Sequence, residues 1–264
     1  MATTAKRAAA RTPRRGKAAA GQVSLERALS KLGLTSRKAA RALILDGRVS
    51  VDDRTITNPA ARIVPERVRI SIDGTARSRS RALTIVLHKP RGYVTTRSDP
   101  EGRKTVYDLL SNVPERVVPV GRLDLATSGL LILTTDTQFA NWLTDPEAGV
   151  PRVYLVTVKG RVSDETTAKL TEGLVIDGDR MSADDVVIRK VSGKETHLVV
   201  TLLEGKNREV RRLLSAVGHP VTRLRRVQFG GLDLGTLAPG DWREVSAAEL
   251  RTAFPTYPKR RPRI

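Results

Sequence analysis

Cysteine is absent from the chain, and histidine is limited to His88, His197 and His219. Disulfides and thiolate metal sites are therefore excluded, and a cytoplasmic location is expected because intracellular proteins rarely rely on disulfides. The three histidines lie far apart in the sequence, and no group of Asp and Glu has the spacing of metal ligands. We expect this protein to need no metal and no other cofactor.

Aromatic residues and long apolar runs are also scarce. Phe, Trp and Tyr make up 3% of the chain, too few for non-specific binding of single strands by base stacking. No apolar run approaches the ~20 residues that cross a bilayer, so a membrane-spanning protein is excluded. Hydrophobic residues nevertheless amount to 39% of 264 residues, which is enough for the cores of about two domains.

Positive charge is in large excess, with 47 Lys and Arg against 28 Asp and Glu and a formal charge of +19. This balance predicts a polyanionic partner, with nucleic acid favoured over an anionic membrane surface. Residues 1–22 hold six basic residues and no acid, and 256–264 form a second basic segment. We predict that both are disordered tails that bind phosphate. A transit peptide is the alternative for the first, but an amphipathic apolar face is lacking.

Residues 23–74 have the pattern of a small RNA-binding unit. Leu25, Ala28, Leu29 and Leu32 have the spacing of an amphipathic helix, and a second helix follows Gly33 and ends at Asp46-Gly47. Short strands come next, and basic residues cluster on and after the second helix: Arg37, Lys38, Arg41 and Arg48. An ordinary solvated face is the competing interpretation of this cluster. Residues 75–82 are predicted to be a polar linker.

Residues 83–255 alternate between strand-like and helical runs, and strands outnumber helices. This pattern predicts an α+β domain with a mixed, mostly antiparallel sheet flanked by helices. The most informative segment is a polar loop, 121–129, between two apolar strands. Rigid strands on both sides would fix the position of the carboxylate of Asp124, although turn formation alone also explains an Asp in such a loop.

The segments GRLD and TSG around Asp124 resemble the signature of the RsuA/RluB family of ribosomal RNA pseudouridine synthases. Further matching segments occur in the family's order: KPRG at 89–92, RVY at 152–154, EGKNREVRR at 204–212, VGHP at 217–220 and LRR at 224–226. The segments LGLTSRKAA and DGRVSV in residues 32–51 resemble the S4 RNA-binding domain. The resemblance implies isomerisation of uridine to pseudouridine without metal or redox cofactor.

The resemblance also assigns roles to single residues. Asp124 would be the catalytic carboxylate, acting as nucleophile toward the sugar or as a base on it. Tyr154 would pack on the target base, and its phenol would help to remove the C5 proton. Arg211, on a helix whose other face is apolar, would form a bidentate pair with Asp124 and keep it ionised. The competing interpretations are a half-buried strand aromatic and a solvated helix face.

RNA contacts are expected from the catalytic half as well. The resemblance places Arg122 against the RNA, where it would help to fill the gap left by the flipped base. Lys206, Asn207 and Arg208 precede a helix, where backbone N–H groups favour phosphate. The late motif looks more like that of relatives acting on the large subunit.

The expected partner is therefore ribosomal RNA, free or in a pre-ribosomal particle, with no membrane and with the protein as a monomer. The rival from another class is a catalytically silent ribosome-assembly factor on the same scaffold. A phosphate-directed RNA hydrolase is a further rival, but the absence of clustered acids or paired histidines disfavours it.

Removal of residues 1–22 should weaken RNA binding without abolishing chemistry. Because the segment carries six positive charges, the slope of log K against log salt should become less steep by roughly 2 to 4 units. Filter binding of the full chain and the truncated chain between 50 and 300 mM salt measures this. An unchanged slope would mean that the segment makes no phosphate contacts.

Overall fold

The computed structural model describes residues 21–65, 67–77, 82–113 and 116–258. The chain forms two compact units, which divide between residues 78 and 79. The predicted basic tails lie outside the described residues except for 21–22 and 256–258, as do linker residues 78–81. No helix among the described residues is long and apolar enough to span a membrane.

The first unit pairs two helices with short strands. Helix α1 is Leu25–Lys31 and α2 is Arg37–Leu45. The strands are β1 (Val23–Ser24), β2 (Val49–Val51), β3 (Arg54–Thr55), β4 (Arg62–Ile63), β5 (Ile70–Ile72) and β6 (Thr75–Arg77). Leu25, Leu29, Ala40 and Ile44 are fully buried between the helices and the sheet. The Ser36 side chain accepts from the Ala39 amide, which confirms the predicted start of α2.

The prediction of a linker from residue 75 is wrong at its first three residues. Thr75–Arg77 form β6, which pairs with β5 and completes a four-stranded sheet in the order β3-β2-β5-β6. The polar composition suggested a linker, but Asp73 and Gly74 both adopt left-handed backbone angles, with φ of 52° and 73°. An Asp-Gly pair of this kind makes the two-residue turn of a β-hairpin.

The second unit contains a large sheet and four helices. Its strands are β7 (Thr84–Lys89), β8 (Val118–Pro119), β9 (Ser128–Thr134), β10 (Arg152–Lys159), β11 (Leu174–Ile176), β12 (Asp179–Met181), β13 (Asp185–Val191), β14 (Glu195–Leu202), β15 (Val221–Phe229), β16 (Leu232–Asp233) and β17 (Trp242–Glu244). Its helices are α3 (Thr137–Thr144), α4 (Asp164–Glu172), α5 (Glu209–Ala216) and α6 (Ala247–Ala253). Short 3₁₀ helices are formed by Val106–Leu109 and Pro146–Ala148.

The sheet order is β13-β14-β10-β15-β9-β7-β17, with β16 paired to β15 and β8 to β9. All of these pairs are antiparallel except β9 with β15. The predicted α+β class with a mixed, mostly antiparallel sheet is confirmed. Strand β17 and the β11–β12 hairpin were not expected, because each of these strands is only three residues long.

Strand β9 is buried on both faces. Leu131 and Leu133 belong to the core that includes residues of α5, whereas Leu130 and Ile132 belong to the core that includes residues of α3. Such continuous apolar runs are typical of a strand covered by helices on both sides. The central strand therefore gives a rigid base to the loop that precedes it.

The single parallel pairing brings β9 unusually close to β15. Gly129 lies opposite Arg226, has φ of +112°, and a Cβ placed on it would lie 2.1 Å from the Arg226 carbonyl oxygen. No side chain fits this gap, so the glycine predicted to turn the chain is also required for strand contact.

Gly129→Ala should destabilise the protein by about 3 kcal/mol or more, since it combines an unfavourable φ with overlap against backbone. The matched control is Gly149→Ala, which also has a positive φ, 55°, but has open space around the added methyl group. The control should cost only about 1 kcal/mol. Urea unfolding of the three proteins measures both values, and equal costs would contradict the close approach.

Candidate active site

A cavity of about 250 Å³ lies in the second unit, where the loop before β9 meets β10, β15 and the start of α5. Its lining includes charged and aromatic side chains from all four segments: Arg122, Asp124, Tyr154, Arg208, Glu209 and Arg226. The cavity therefore brings together Asp124, Tyr154 and the residues expected to contact RNA at the start of α5. Asp124 and Arg208 are 84 positions apart in the sequence.

The loop that carries Asp124 is fixed by hydrogen bonds from Lys89, the last residue of β7. Its side chain is fully buried, and its ammonium donates to the carbonyl oxygens of Pro90 at 3.1 Å, Asp124 at 3.0 Å and Thr127 at 2.8 Å. Burial lowers the pKa of Lys89 to about 8, and the charge of Asp124 opposes this shift. Lys89 belongs to the KPRG segment at 89–92, but no role was predicted for it from the sequence.

The Asp124 side chain is 36% exposed, and two guanidinium groups approach its Oδ2. Arg208 Nη1 lies 3.4 Å from this oxygen and Arg211 Nε lies 3.9 Å from it. The expected bidentate pair between Arg211 and Asp124 is not formed. The terminal nitrogens of Arg211 point instead to the carbonyl oxygens of Val221 and Ala126, each at 3.3 Å, and to Thr127 Oγ1 at 3.5 Å.

Arg211 is therefore fixed by backbone acceptors and contributes its charge to Asp124 at the edge of ion-pair distance. Burial lowers the pKa of its guanidinium, and the neighbouring Arg208 acts in the same direction. Its Nε is buried without a hydrogen-bond partner. A carboxylate that moved a few tenths of an ångström, or a ligand in the cavity, would give this donor a partner.

The segment before α5 was expected to contact phosphate. Asn207 is exposed and lines the cavity. The Lys206 ammonium, in contrast, donates to Glu204 Oε1 at 2.6 Å and to the Arg180 carbonyl at 2.7 Å. Arg208 is the residue that caps α5, and its guanidinium contacts Asp124. Lys206 and Arg208, two of the three residues expected to bind phosphate, thus already contact acceptors of the protein itself.

Tyr154 lies on β10 with its side chain 8% exposed, between the main core and the cavity. One face of the residue packs on apolar neighbours while the cavity remains accessible beside it. Arg122 is exposed on the same cavity lining. Both positions are compatible with the roles expected for them.

Two buried arginines beside the cavity were not identified from the sequence. Arg152 donates to the carbonyl oxygens of Val150, Leu203 and Leu143, and burial lowers its pKa. Arg226 donates from Nε to the Leu130 carbonyl at 2.8 Å. Both guanidinium groups lie over the Phe229 ring, at 4.8 and 4.9 Å from its centroid. Nothing in the sequence around these two arginines indicated that they are buried.

Glu209, the first residue of α5, was also missed. It is 3% exposed, its Oε2 accepts from the Lys206 amide at 3.0 Å, and its Oε1 has no partner. Burial raises the pKa of Glu209 to about 7, and the nearby Glu204 adds to this shift. The charged pattern of the helix suggested a solvated residue, whereas the fold encloses it.

In the first unit, the four basic residues expected to bind RNA differ in their surroundings. Arg37 and Lys38 are exposed at the start of α2. Arg41 lies 3.7 Å from Glu26, and Arg48 forms a bidentate pair with Asp73 at 2.7 Å for both bonds. Among the described residues, no group of three His, Cys, Asp or Glu side chains could hold a metal ion.

Glu209→Gln should stabilise the protein progressively as the pH rises. Below pH 4.5, the ordinary pKa, Glu209 is protonated in both states and adds no difference. Between pH 4.5 and 7 the unfolded chain ionises first, so the folded wild type loses stability while the variant does not. The gain should reach about 3 kcal/mol at pH 8. Urea unfolding at several pH values tests this, with the exposed Glu147→Gln as control, and a gain independent of pH would contradict it.

Family models match both units of the chain. The model described as RNA pseudouridylate synthase matches residues 83–216, and the model described as S4 domain matches residues 24–68. The first match contains β7, the Asp124 loop, Tyr154 and Arg211. It therefore contains most of the cavity lining described above.

Curated relatives extend the similarity to most of the chain. An uncharacterized RNA pseudouridine synthase of Aquifex aeolicus is 39% identical over 88% of this chain and 94% of its own length. Ribosomal large subunit pseudouridine synthase B of Bacillus subtilis is 35% identical over 86% of this chain and 93% of its own length. The protein of the same name from Vibrio vulnificus is 38% identical over 86% of this chain and 72% of its own length.

Among solved structures, one described as a crystal structure of pseudouridylate synthase has a TM-score of 0.60 and 23% identity. The match covers 88% of this chain and 99% of the solved chain, and it supports only the fold. The matched models, the relatives and the shared fold agree on the family. The chain belongs to the RNA pseudouridylate synthase family.

Proposed function

We propose that this protein isomerises a uridine of large-subunit ribosomal RNA to pseudouridine, with Asp124 as its catalytic carboxylate. The observation that carries the proposal is the cavity that Asp124 and Tyr154 line together, with the fixed guanidinium of Arg211 3.9 Å from the Asp124 carboxylate. The choice of ribosomal RNA is supported by the relatives from Bacillus subtilis and Vibrio vulnificus, whose names specify the large subunit.

The proposed reaction breaks the bond between N1 of the base and C1′ of the ribose. The base then rotates, C5 bonds to C1′, the proton on C5 is lost and N1 gains one, so that no atom is added overall. Asp124 either attacks the sugar or removes a proton from it. In both cases the carboxylate must be reachable, and the 36% exposure of the Asp124 side chain supports this.

The other residues have supporting roles in this proposal. Tyr154 packs on a base taken out of its helix, and its phenol assists loss of the C5 proton; its place in the cavity lining supports this role. Arg211 stabilises the charge of Asp124 from a position fixed by backbone acceptors. Lys89 holds the loop so that the carboxylate keeps its place.

RNA binding is divided between the two units. We propose that residues 23–74 form the S4-type unit and that Arg37 and Lys38 contact RNA phosphates, with Arg41 and Arg48 adding positive charge near their acidic partners. In the catalytic unit, residues 83–255, Arg122 and Asn207 are the exposed contacts beside the cavity, and Lys206 adds positive charge there. We further propose a monomer that acts in the cytoplasm, because the relatives named for ribosomal RNA come from bacteria.

Asp124→Asn should abolish product formation while leaving RNA affinity within about twofold of wild type. The amide keeps the size of the side chain but can neither attack the sugar nor accept a proton, so the rate should fall at least about 100-fold. Unmodified large-subunit ribosomal RNA is incubated with each protein, and pseudouridine is mapped along it.

The matched control is Asp185→Asn, which removes an exposed carboxylate from β13 and should leave the rate unchanged. Product from Asp124→Asn at the wild-type rate would remove Asp124 from the mechanism. Tight RNA binding without pseudouridine from the wild type would instead support the silent assembly factor.

A further inference from the structure

Arg208 and Arg211 approach the same oxygen of Asp124 but are held in different ways. Arg211 has a side chain that is 14% exposed and donates to two backbone carbonyls. Arg208 has a side chain that is 55% exposed, and within the described part of the chain its guanidinium has one hydrogen-bond partner, Asp124 Oδ2 at 3.4 Å. The Arg211 guanidinium is therefore fixed at the site. The Arg208 guanidinium can move away from Asp124 without breaking any other hydrogen bond among the described residues.

The backbone at Arg208 is unusual for its residue type. Its φ of 51° and ψ of 31° lie in the left-handed region, and Arg208 is the residue that caps α5 without a capping side chain. A non-glycine residue in this region costs on the order of 1 kcal/mol, and Asn, Asp or Gly are the residues usually found there. A protein that keeps Arg at this position has a use for its side chain that offsets the strain.

The contact also restricts access to the carboxylate. Asp124 and Arg208 both line the cavity, the first from the loop before β9 and the second from the start of α5, so the ion pair crosses the space between them. The Asp124 side chain as a whole is 36% exposed, but a ribose that approaches Oδ2 from the side of α5 must take the place of this guanidinium. Arg211 does not line the cavity, and its terminal nitrogens donate to the carbonyl oxygens of Val221 and Ala126.

We propose that Arg208 covers Asp124 in the free protein and that a backbone phosphate of bound RNA draws its guanidinium away, which leaves Asp124 with Arg211 alone. This inference rests on the proposed function and adds to it a residue that couples substrate binding to exposure of the carboxylate. The strength of the contact suits the role. An exposed ion pair is worth at most about a fivefold change in equilibrium, and a phosphate offers Arg a stronger, bidentate partner.

Two other roles for Arg208 give different results. If Arg208 only binds RNA, as its position before α5 first suggested, its loss lowers affinity and leaves the rate at saturating RNA unchanged. If it is a permanent partner of Asp124, its loss slows the reaction with every substrate. A covering residue instead slows the reaction only where no phosphate displaces it.

The first experiment measures the free protein. Wild type, Arg208→Gln and Arg189→Gln are treated with a water-soluble carbodiimide and an amine, and modification of Asp124 is quantified by mass spectrometry. Arg189 lies on the edge strand β13 and controls for loss of one positive charge. Asp124 should be modified about two- to fivefold faster in Arg208→Gln than in the other two proteins, relative to Asp185 in the same sample. Equal rates in all three proteins would overturn the proposal.

The second experiment measures single-turnover rates at saturating RNA, using a short hairpin that contains the mapped uridine. The linkages flanking the uridine are either normal phosphates or neutral methylphosphonates. The neutral linkages should slow wild type and Arg189→Gln about two- to fivefold and leave Arg208→Gln unaffected, so that this variant becomes the fastest on the neutral substrate.

A variant that is slower than wild type on both substrates, or one that loses only affinity, would overturn the inference. The proposed function fails in a different way, since wild type would then form no pseudouridine in any ribosomal RNA. The labelling of Asp124 is independent of turnover, so it tests the covering contact in that case as well.

Discussion

The site depends on a buried ammonium group. The loop from Gly121 to Gly129 turns its carbonyl oxygens inward, and Lys89 supplies donors to two of them as well as to Pro90. Burial lowers the pKa of Lys89 to about 8, and the charge of Asp124 opposes this shift. Loop and cation stabilise each other: without the loop the charge would be buried alone, and without the cation each of the three carbonyls would lose a donor.

The sheet determines where this loop lies relative to the rest of the site. Gly129 allows β9 to run parallel to and very near β15, and β15 pairs with β10, which carries Tyr154. Helix α5 then returns along the same side and presents Arg211 to the loop that contains Asp124. The close contact between β9 and β15 and the buried ammonium of Lys89 thus bring together three segments that are distant in sequence. No direct bond between the reacting side chains is needed for this arrangement.

Much of this was predictable from the sequence, and the exceptions have physical causes. The apolar runs on both sides of residues 121–129 predicted the strands around Asp124, and the apolar face opposite Arg211 predicted the buried face of α5. Arg152, Arg226 and Glu209 were missed because burial of a charged residue depends on acceptors contributed by distant segments. The bidentate contact expected between Arg211 and Asp124 was wrong, since backbone acceptors that no motif reveals take the terminal nitrogens of Arg211.

The central claim is that Asp124 meets the ribose of an extruded uridine within the cavity. The most direct measurement is a crystal structure of Asp124→Asn bound to an RNA hairpin that contains the modified position. The account predicts the uridine outside its helix, with its base against the Tyr154 ring and its C1′ within about 4 Å of the side chain at position 124. A uridine still stacked in the RNA helix, or a ribose on the far side of the cavity from residue 124, would contradict it.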